Sequence, residues 1–319
     1  MGLASLKSKI SKHLNFRAQK KHYSKLGWRN APKYSKYAKY CASVYKGVFP
    51  YEDELRDQET QFNELGFTVF WDEEMESIAN SMYQRIRAWE DEGRDLWKIP
   101  TGDDYGAHQG YKGDLWRDFP ELERAFQGKL GELVKQIYRA DYKIFFGLMV
   151  KSEGVNVEPV GSQLWHNDAG PGSCIIIANY LHETDETNGC LQVLPWKDSL
   201  EIYRDEWDAD DRLQAQYCKE HGLQRHEIDK TTAKTIRHHW YDETIQSKYK
   251  SKVQMPFGKA GSTVLFRNNI LHRGGHPAPG KKRYALLIHC YPANTPAPFD
   301  HYREHGIAKT HPYPVDPGY

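Results

Sequence analysis

A series of short β-prone runs in the second half of the chain constrains its fold more than any other feature of the sequence. These runs are rich in β-branched and aromatic residues and are bounded by Gly, Pro or Asn, as strands usually are. They cover residues 143–150, 173–181, 190–194, 262–266 and 283–291. Several short strands with few helices between them are typical of a sandwich or jelly roll and disfavour a parallel sheet.

Helical patterns precede and interrupt these runs. Asp72 can cap a helix whose apolar residues recur with a period near 3.6, and Pro120 can start a second one that ends near Arg139. Residues 98–116 are rich in Gly, Asp and aromatic side chains without periodicity, which predicts a loop. Residues 197–250 predict a charged helical insertion between strands. The sequence thus predicts a mainly β fold with flanking helices.

The N-terminal segment differs in charge from the rest of the chain. Residues 1–46 contain twelve Lys or Arg and no Asp or Glu, and leucines and isoleucine recur there at helical spacing. We therefore expect a basic, partly amphipathic arm over residues 1–50, followed by one large domain over residues 51–319. Such an arm suits an anionic membrane surface, and a solvated basic extension is the alternative.

Composition restricts the possible partners and compartment. No run approaches the roughly 18 apolar residues of a membrane-spanning helix, and no signal peptide is recognisable. The five cysteines are odd in number and form no Cys-x-x-Cys pair, which indicates a reduced, cytoplasmic protein, peripheral to a membrane if the arm binds one. Nucleic-acid binding is not expected, because no recognition module follows the arm.

Two segments about a hundred residues apart carry the candidate chemistry. His166 and Asp168 form a His-x-Asp triplet at a predicted strand end, and His272 follows a predicted strand and a polar stretch. Chance alone supplies about one such triplet in a chain of this composition, so only the surrounding sequence can indicate whether it binds a metal. Two imidazoles and a carboxylate on one face of a metal leave positions open for a keto acid and oxygen on ferrous iron. Arg283 lies eleven residues beyond His272, and its planar guanidinium can donate two parallel hydrogen bonds to the far carboxylate of such a keto acid.

In this order the segments resemble the phytanoyl-CoA dioxygenase-like branch of the Fe(II)/2-oxoglutarate oxygenases. His166 and Asp168 match the His-x-Asp of that family, His272 its distal histidine and Arg283 its co-substrate arginine. The resemblance covers about residues 60–292. It implies a double-stranded β-helix (jelly roll), Fe(II), 2-oxoglutarate and O2 as cofactor and co-substrates, and hydroxylation coupled to decarboxylation of 2-oxoglutarate to succinate.

The sequence departs from the family at Gly274, where relatives often have a hydroxyl residue two positions after the distal histidine. Asp168 disfavours a cupin with a His-x-His pair and a halogenase with a small residue at that position. A zinc hydrolase would leave Arg283 unexplained. An inactive jelly-roll binding module, held at an anionic surface by the basic arm, remains the alternative. The expected substrate is a polar small molecule or a lipid-linked sugar or headgroup.

Other histidines and one arginine near these motifs have ordinary explanations. Arg273 competes with Arg283 for the co-substrate, but its adjacency to His272 directs it to the opposite face of an extended chain. His289 lies in an apolar strand and is expected to be structural. His238 and His239 complete no recognised ligand spacing with nearby acids, which predicts a surface position for both.

Overall fold

The computed structural model describes residues 52–99, 108–155, 161–168, 174–293, 299, 300 and 302. The predicted arm over residues 1–50, with its proposed membrane contact, lies outside the described residues, as does most of the C-terminal tail. Within the described residues, no helix combines the length and the apolar character needed to cross a membrane.

Nine strands form two antiparallel sheets among the described residues. They are β1 (Phe67–Phe70), β2 (Trp97–Lys98), β3 (His108–Tyr111), β4 (Asp141–Glu153), β5 (Ile175–Tyr180), β6 (Leu191–Val193), β7 (Thr263–Arg267), β8 (His272–Gly274) and β9 (Lys282–Ala293). The large sheet has the order β1-β7-β5-β9-β4-β3-β2 and is not closed, and the small sheet pairs β6 with β8. The predicted mainly β fold with flanking helices, a double-stranded β-helix or jelly roll, is confirmed.

The helices lie before β1, between β1 and β2, between β3 and β4, and between β6 and β7. They are α1 (Arg56–Leu65), α2 (Glu73–Asp91), α3 (Leu115–Asp118), α4 (Leu122–Gln127), α5 (Lys129–Tyr138), α6 (Trp196–His221) and α7 (Lys230–Thr244). As predicted, the Asp72 side chain caps α2 by accepting a 2.7 Å hydrogen bond from the Met75 amide. The helix expected after Pro120 is two helices, because Gly128 is extended and interrupts it.

The prediction of a loop over residues 98–116 is wrong in part. The stretch contains β3 and the start of the short helix α3, and β3 pairs with β4 through Gln109 and Lys151. Residues 108–111 are polar apart from a tyrosine, so they show no alternation of apolar and polar side chains. Their strand conformation therefore depends on the long neighbouring strand β4, which the local sequence cannot indicate.

Side chains along β9 alternate between the face that packs against α2 and α5 and the opposite face, which is the inner face of the sheet. Tyr284, Leu286 and Ile288 pack in the larger apolar cluster, which also contains the buried side chains of α2 and α5. Ala285 and the partly exposed Leu287 belong to a second cluster on the opposite face. Arg283 and His289 share the parity of this second set. β9 therefore directs the side chains of Arg283 and His289 to the inner face.

We expect Gly261→Ala to lower the free energy of unfolding by about 3 kcal/mol, because the substitution combines backbone strain with a steric clash. Gly261 has a φ of +82°, and an added Cβ would lie 2.4 Å from the amide nitrogen of Glu76 at the start of α2. Gly93→Ala is the matched control: its φ is +75°, but nothing lies within 4 Å of the added Cβ. Urea unfolding should give a loss of about 1 kcal/mol for the control. Equal losses for the two variants would contradict the predicted contact.

Candidate metal centre

Backbone pairing brings the two predicted segments together. The His166 amide donates to the carbonyl oxygen of His272 at 3.0 Å, and the His272 amide donates to the carbonyl oxygen of His166 at 2.9 Å. The Asp168 amide donates to the carbonyl oxygen of Asn268 at 2.9 Å. These three bonds place His166 and Asp168 directly beside the first residue of β8. The two histidines are therefore neighbours by the register of the chain.

The three side chains form a cluster that could hold one ion. His166 Nε2 lies 4.0 Å from Asp168 Oδ1, and His272 Nε2 lies 3.9 Å from Asp168 Oδ2. One ligand atom from each residue lies within 4.8 Å of the others, a spacing that small side-chain shifts could close around an ion with bonds of about 2.1 Å. It is the one such group among the described residues.

Both imidazoles are held so that Nε2 faces the carboxylate. His166 Nδ1 lies 2.7 Å from the carbonyl oxygen of Leu164, and His272 Nδ1 lies 2.8 Å from that of Ile270. A carbonyl oxygen only accepts, so each Nδ1 carries a proton, and in a neutral imidazole Nε2 then presents a lone pair. This is the tautomer that a metal ligand needs.

The electrostatics of His166 also favour the neutral imidazole. Burial, and then the neighbouring His272, lower the pKa of His166 to about 3, against the opposing effect of Asp168. A neutral imidazole binds a metal without first losing a proton. Asp168 is 38% exposed, so the carboxylate side of the cluster remains accessible to ligands.

Arg283 is a buried cation without an acidic partner among the described residues. It is 5% exposed, one guanidinium nitrogen donates to the carbonyl oxygen of Gly189, and Nη2 donates to Ser152 Oγ at 3.1 Å. Its Nε is buried and makes no hydrogen bond. Burial lowers the pKa of Arg283. A buried charge of this kind is costly unless an anion joins it.

Gly274 leaves room for the Arg283 guanidinium beside the strand that begins at His272. A Cβ added to Gly274 would lie 3.1 Å from Arg283 Nη2, so the guanidinium occupies the space that a side chain would take. Gly274 lies two strand residues beyond His272 and shares its face, which separates the two positions by about 6.7 Å. A five-carbon dicarboxylate has the length to join them. The half-buried Leu148 and Leu287 lie on the inner face of the large sheet.

The rival arginine points away from this site. Arg273 Nε donates to Gln192 Oε1 at 2.8 Å, Nη1 donates to Asp242 Oδ1 at 3.3 Å, and the guanidinium lies over the Trp165 ring. These three contacts hold the guanidinium on the face of β8 opposite to His272. The structure therefore leaves Arg283 as the arginine nearest to the inner face.

One histidine differs from its sequence prediction, and another lies on the face of the sheet that carries Arg283. The ring of His289 packs against the exposed Phe146 on the inner face, and burial lowers its pKa, with smaller opposing effects from Asp168 and His272. Its expected structural role stays a prediction. The predicted surface position of His238 is wrong, because the residue is only 7% exposed and its ring centroid lies 5.6 Å from that of His166. A helical pattern shows which residues share a face, but not what that face packs against.

A comparison with protein families identifies the family of this chain. A family model described as Phytanoyl-CoA dioxygenase (PhyH) matches residues 63–283. No curated protein sequence gives a significant match.

Solved structures that resemble the chain have low sequence identity to it. The non-heme alpha ketoglutarate dependent epimerase SnoN from nogalamycin biosynthesis is 10% identical, with 76% of this chain and 86% of that chain covered and a TM-score of 0.48. AviO1 from Streptomyces viridochromogenes Tue57 is 17% identical, with 78% and 100% covered and a TM-score of 0.45. EctD from S. alaskensis, solved with 2-oxoglutarate and 5-hydroxyectoine, is 14% identical, with 84% and 87% covered and a TM-score of 0.48.

Proposed function

The chain belongs to the phytanoyl-CoA dioxygenase family of Fe(II)- and 2-oxoglutarate-dependent oxygenases, and from this premise we propose that it hydroxylates a polar small molecule or a lipid-linked sugar or headgroup. One observation carries the proposal. By strand spacing, the cluster of His166, Asp168 and His272 lies about one dicarboxylate length from Arg283, whose guanidinium contacts no acid among the described residues. An inactive binding module would have no use for that combination.

His166, Asp168 and His272 would hold the iron. The two Nε2 lone pairs and the carboxylate are the donor set of a two-histidine, one-carboxylate site, which leaves three positions on the metal open. When bound, the iron would supply the redox chemistry that reduces O2 while 2-oxoglutarate is oxidised. The backbone carbonyls of Leu164 and Ile270 hold the two rings in the ligating orientation.

Arg283 would bind the far carboxylate of 2-oxoglutarate. Its buried Nε is available to an incoming carboxylate oxygen, and the pairing would neutralise the buried charge. Ser152 orients the guanidinium by accepting from Nη2, and His108 Nδ1 lies 3.2 Å from the same Ser152 hydroxyl. The missing side chain at Gly274 provides room for the guanidinium, which a hydroxyl residue would reduce.

In the proposed net reaction, one C–H bond of the substrate becomes C–OH while 2-oxoglutarate and O2 yield succinate and CO2. One oxygen atom of O2 enters the product and the other enters the new carboxylate of succinate. Asp168 supports hydroxylation over halogenation because its carboxylate fills the position that a halide would need. The expected membrane contact of residues 1–46 remains a prediction.

Mass spectrometry under ¹⁸O2 tests the proposed hydroxylation. The iron-loaded chain is incubated with 2-oxoglutarate and a panel of polar metabolites, lipid-linked sugars and lipid headgroups, and succinate release is the first readout. We expect at least one compound to accelerate succinate release and to gain one ¹⁸O atom. A product that has lost two hydrogens or changed only its stereochemistry would contradict hydroxylation but retain the reaction class. Absence of succinate under all conditions would favour the binding module.

A further inference from the structure

The helical insertion contacts both segments that carry the proposed metal ligands. These two ligand segments are residues 165–168, which contain His166 and Asp168, and residues 268–273, which contain His272. α6 and α7 contain none of the three ligands, yet each supplies one side chain that bonds to both segments. A side chain that bonds to both segments limits how far they can move apart.

Tyr203 on α6 joins the two ligand segments through its hydroxyl group. The hydroxyl accepts from Asn167 Nδ2 at 3.0 Å and donates to the carbonyl oxygen of Asn269 at 2.8 Å. Asn167 stands between the two ligands of the first segment, and the residue before Asn269 accepts from the Asp168 amide. Tyr203 is 5% exposed, so both bonds are made away from bulk water, where they are stronger. The hydroxyl therefore ties the segments together on the side of Asp168.

Asp242 on α7 joins the same segments on the side of the two histidines. One oxygen, Oδ1, accepts from the Trp165 amide at 3.2 Å and from Arg273 Nη1 at 3.3 Å. Trp165 directly precedes His166, and Arg273 directly follows His272. The carboxylate therefore connects the residues next to both imidazoles.

Ser199 anchors α6 to the second ligand segment. Its hydroxyl accepts from the Leu271 amide at 3.1 Å and donates to the carbonyl oxygen of Leu194 at 2.9 Å. Ser199 and Tyr203 are four residues apart, so they lie on the same face of α6. A shift of α6 along the segment would break the bonds of both residues. The position of the Tyr203 hydroxyl is therefore fixed by the helix that carries it.

We infer that Tyr203 and Asp242 are positioning residues that hold the two ligand segments at the separation a bound metal requires. The inference rests on the proposed function and extends it to side chains that touch no ligand. One ligand atom from each of the three residues already lies within 4.8 Å of the others, so metal binding needs the segments to keep this separation. Tyr203 and Asp242 act through the residues beside the ligands, as outer-shell partners of metal sites do.

Cobalt binding tests this role, because the visible absorption of Co(II) reports the geometry of its ligands. The full chain is titrated with Co(II), and the Kd and the spectrum at saturation are measured. We expect Tyr203→Phe and Asp242→Ala each to raise the Kd by about tenfold or more, as loss of an outer-shell partner does, and to alter the spectrum. Asp242→Asn keeps an oxygen that can accept from the Trp165 amide, so it should recover most of the affinity.

Tyr241→Phe and Glu243→Ala are the matched controls on α7. Tyr241 is 1% exposed, its ring packs edge-on against that of Tyr203 with centroids 6.3 Å apart, and its hydroxyl makes no hydrogen bond to either ligand segment. Glu243 is the exposed acid next to Asp242. Both controls should keep the wild-type Kd and spectrum, whatever their effect on the melting temperature of the metal-free protein.

The outcomes separate the positioning role from the metal centre itself. Tyr203→Phe or Asp242→Ala with the wild-type Kd and spectrum would overturn the role of the residue replaced, and an equal loss in the controls would overturn both roles. A wild-type chain that binds no Co(II), or that binds it equally well after His166→Ala, would overturn the proposed metal centre and the inference with it.

Discussion

Replacing Asp168 with alanine is expected to abolish iron-dependent succinate release while leaving the chain folded. The carboxylate is one of three proposed ligands and is 38% exposed, so its loss removes a metal bond and little packing. The loss should exceed the roughly 10–100-fold that removal of an outer-shell partner typically costs. His166→Ala should have the same effect on turnover. Metal titration and succinate assays on both variants provide the measurements, with melting temperature as the check of folding.

His182→Ala is the control for a general effect of losing a half-buried histidine. His182 packs against Tyr83 and Tyr284 on the helix side of the sheet, away from the cluster, and burial lowers its pKa. It should bind metal and turn over 2-oxoglutarate as the wild type does. Normal turnover in Asp168→Ala or His166→Ala would show that the iron binds elsewhere.

Replacing Arg283 with methionine should raise the KM for 2-oxoglutarate by about 100-fold, because a buried carboxylate would lose its charged partner. The same change should leave the melting temperature of the ligand-free protein unchanged or higher, since it removes a buried cation that no described acid compensates. The stabilisation that 2-oxoglutarate gives the wild type, about 2.7 kcal/mol at 100 times Kd, should largely disappear. Thermal unfolding with and without 2-oxoglutarate measures both effects.

Arg273→Met is the matched substitution on the other face of β8. It breaks the contact with Asp242 and the hydrogen bond to Gln192, so the melting temperature should fall. The KM for 2-oxoglutarate should not change. The opposite pattern, a raised KM for Arg273→Met and a normal one for Arg283→Met, would reverse the assignment of the two arginines.

Local sequence was sufficient for features that depend on neighbouring residues. The cap at Asp72 and the strands around His272 follow from side-chain chemistry and alternation, and the structure contains both. The His-x-Asp triplet predicted a metal site only when it was considered together with its order relative to His272 and Arg283. Backbone pairing in the structure then brings His166, Asp168 and His272 together, which no local pattern encodes.

Features set by distant contacts could not be predicted in this way. His238 has the same helical spacing whether α7 faces solvent or the metal cluster, and only the packing beside His166 makes it buried. His289 lies in an apolar strand, yet alternation directs it to the inner face near Asp168. β3 has a polar sequence and becomes a strand because β4 offers a partner.

Iron-dependent release of succinate by the purified full chain tests the central claim most directly. We predict that chelator-treated protein releases none, and that added Fe(II) restores release of succinate and CO2 in equal amounts with consumption of O2. Asp168→Ala, measured alongside, should remain inactive at any iron concentration. Iron-loaded, folded protein that binds 2-oxoglutarate but never converts it, with or without the substrate panel, would contradict the account.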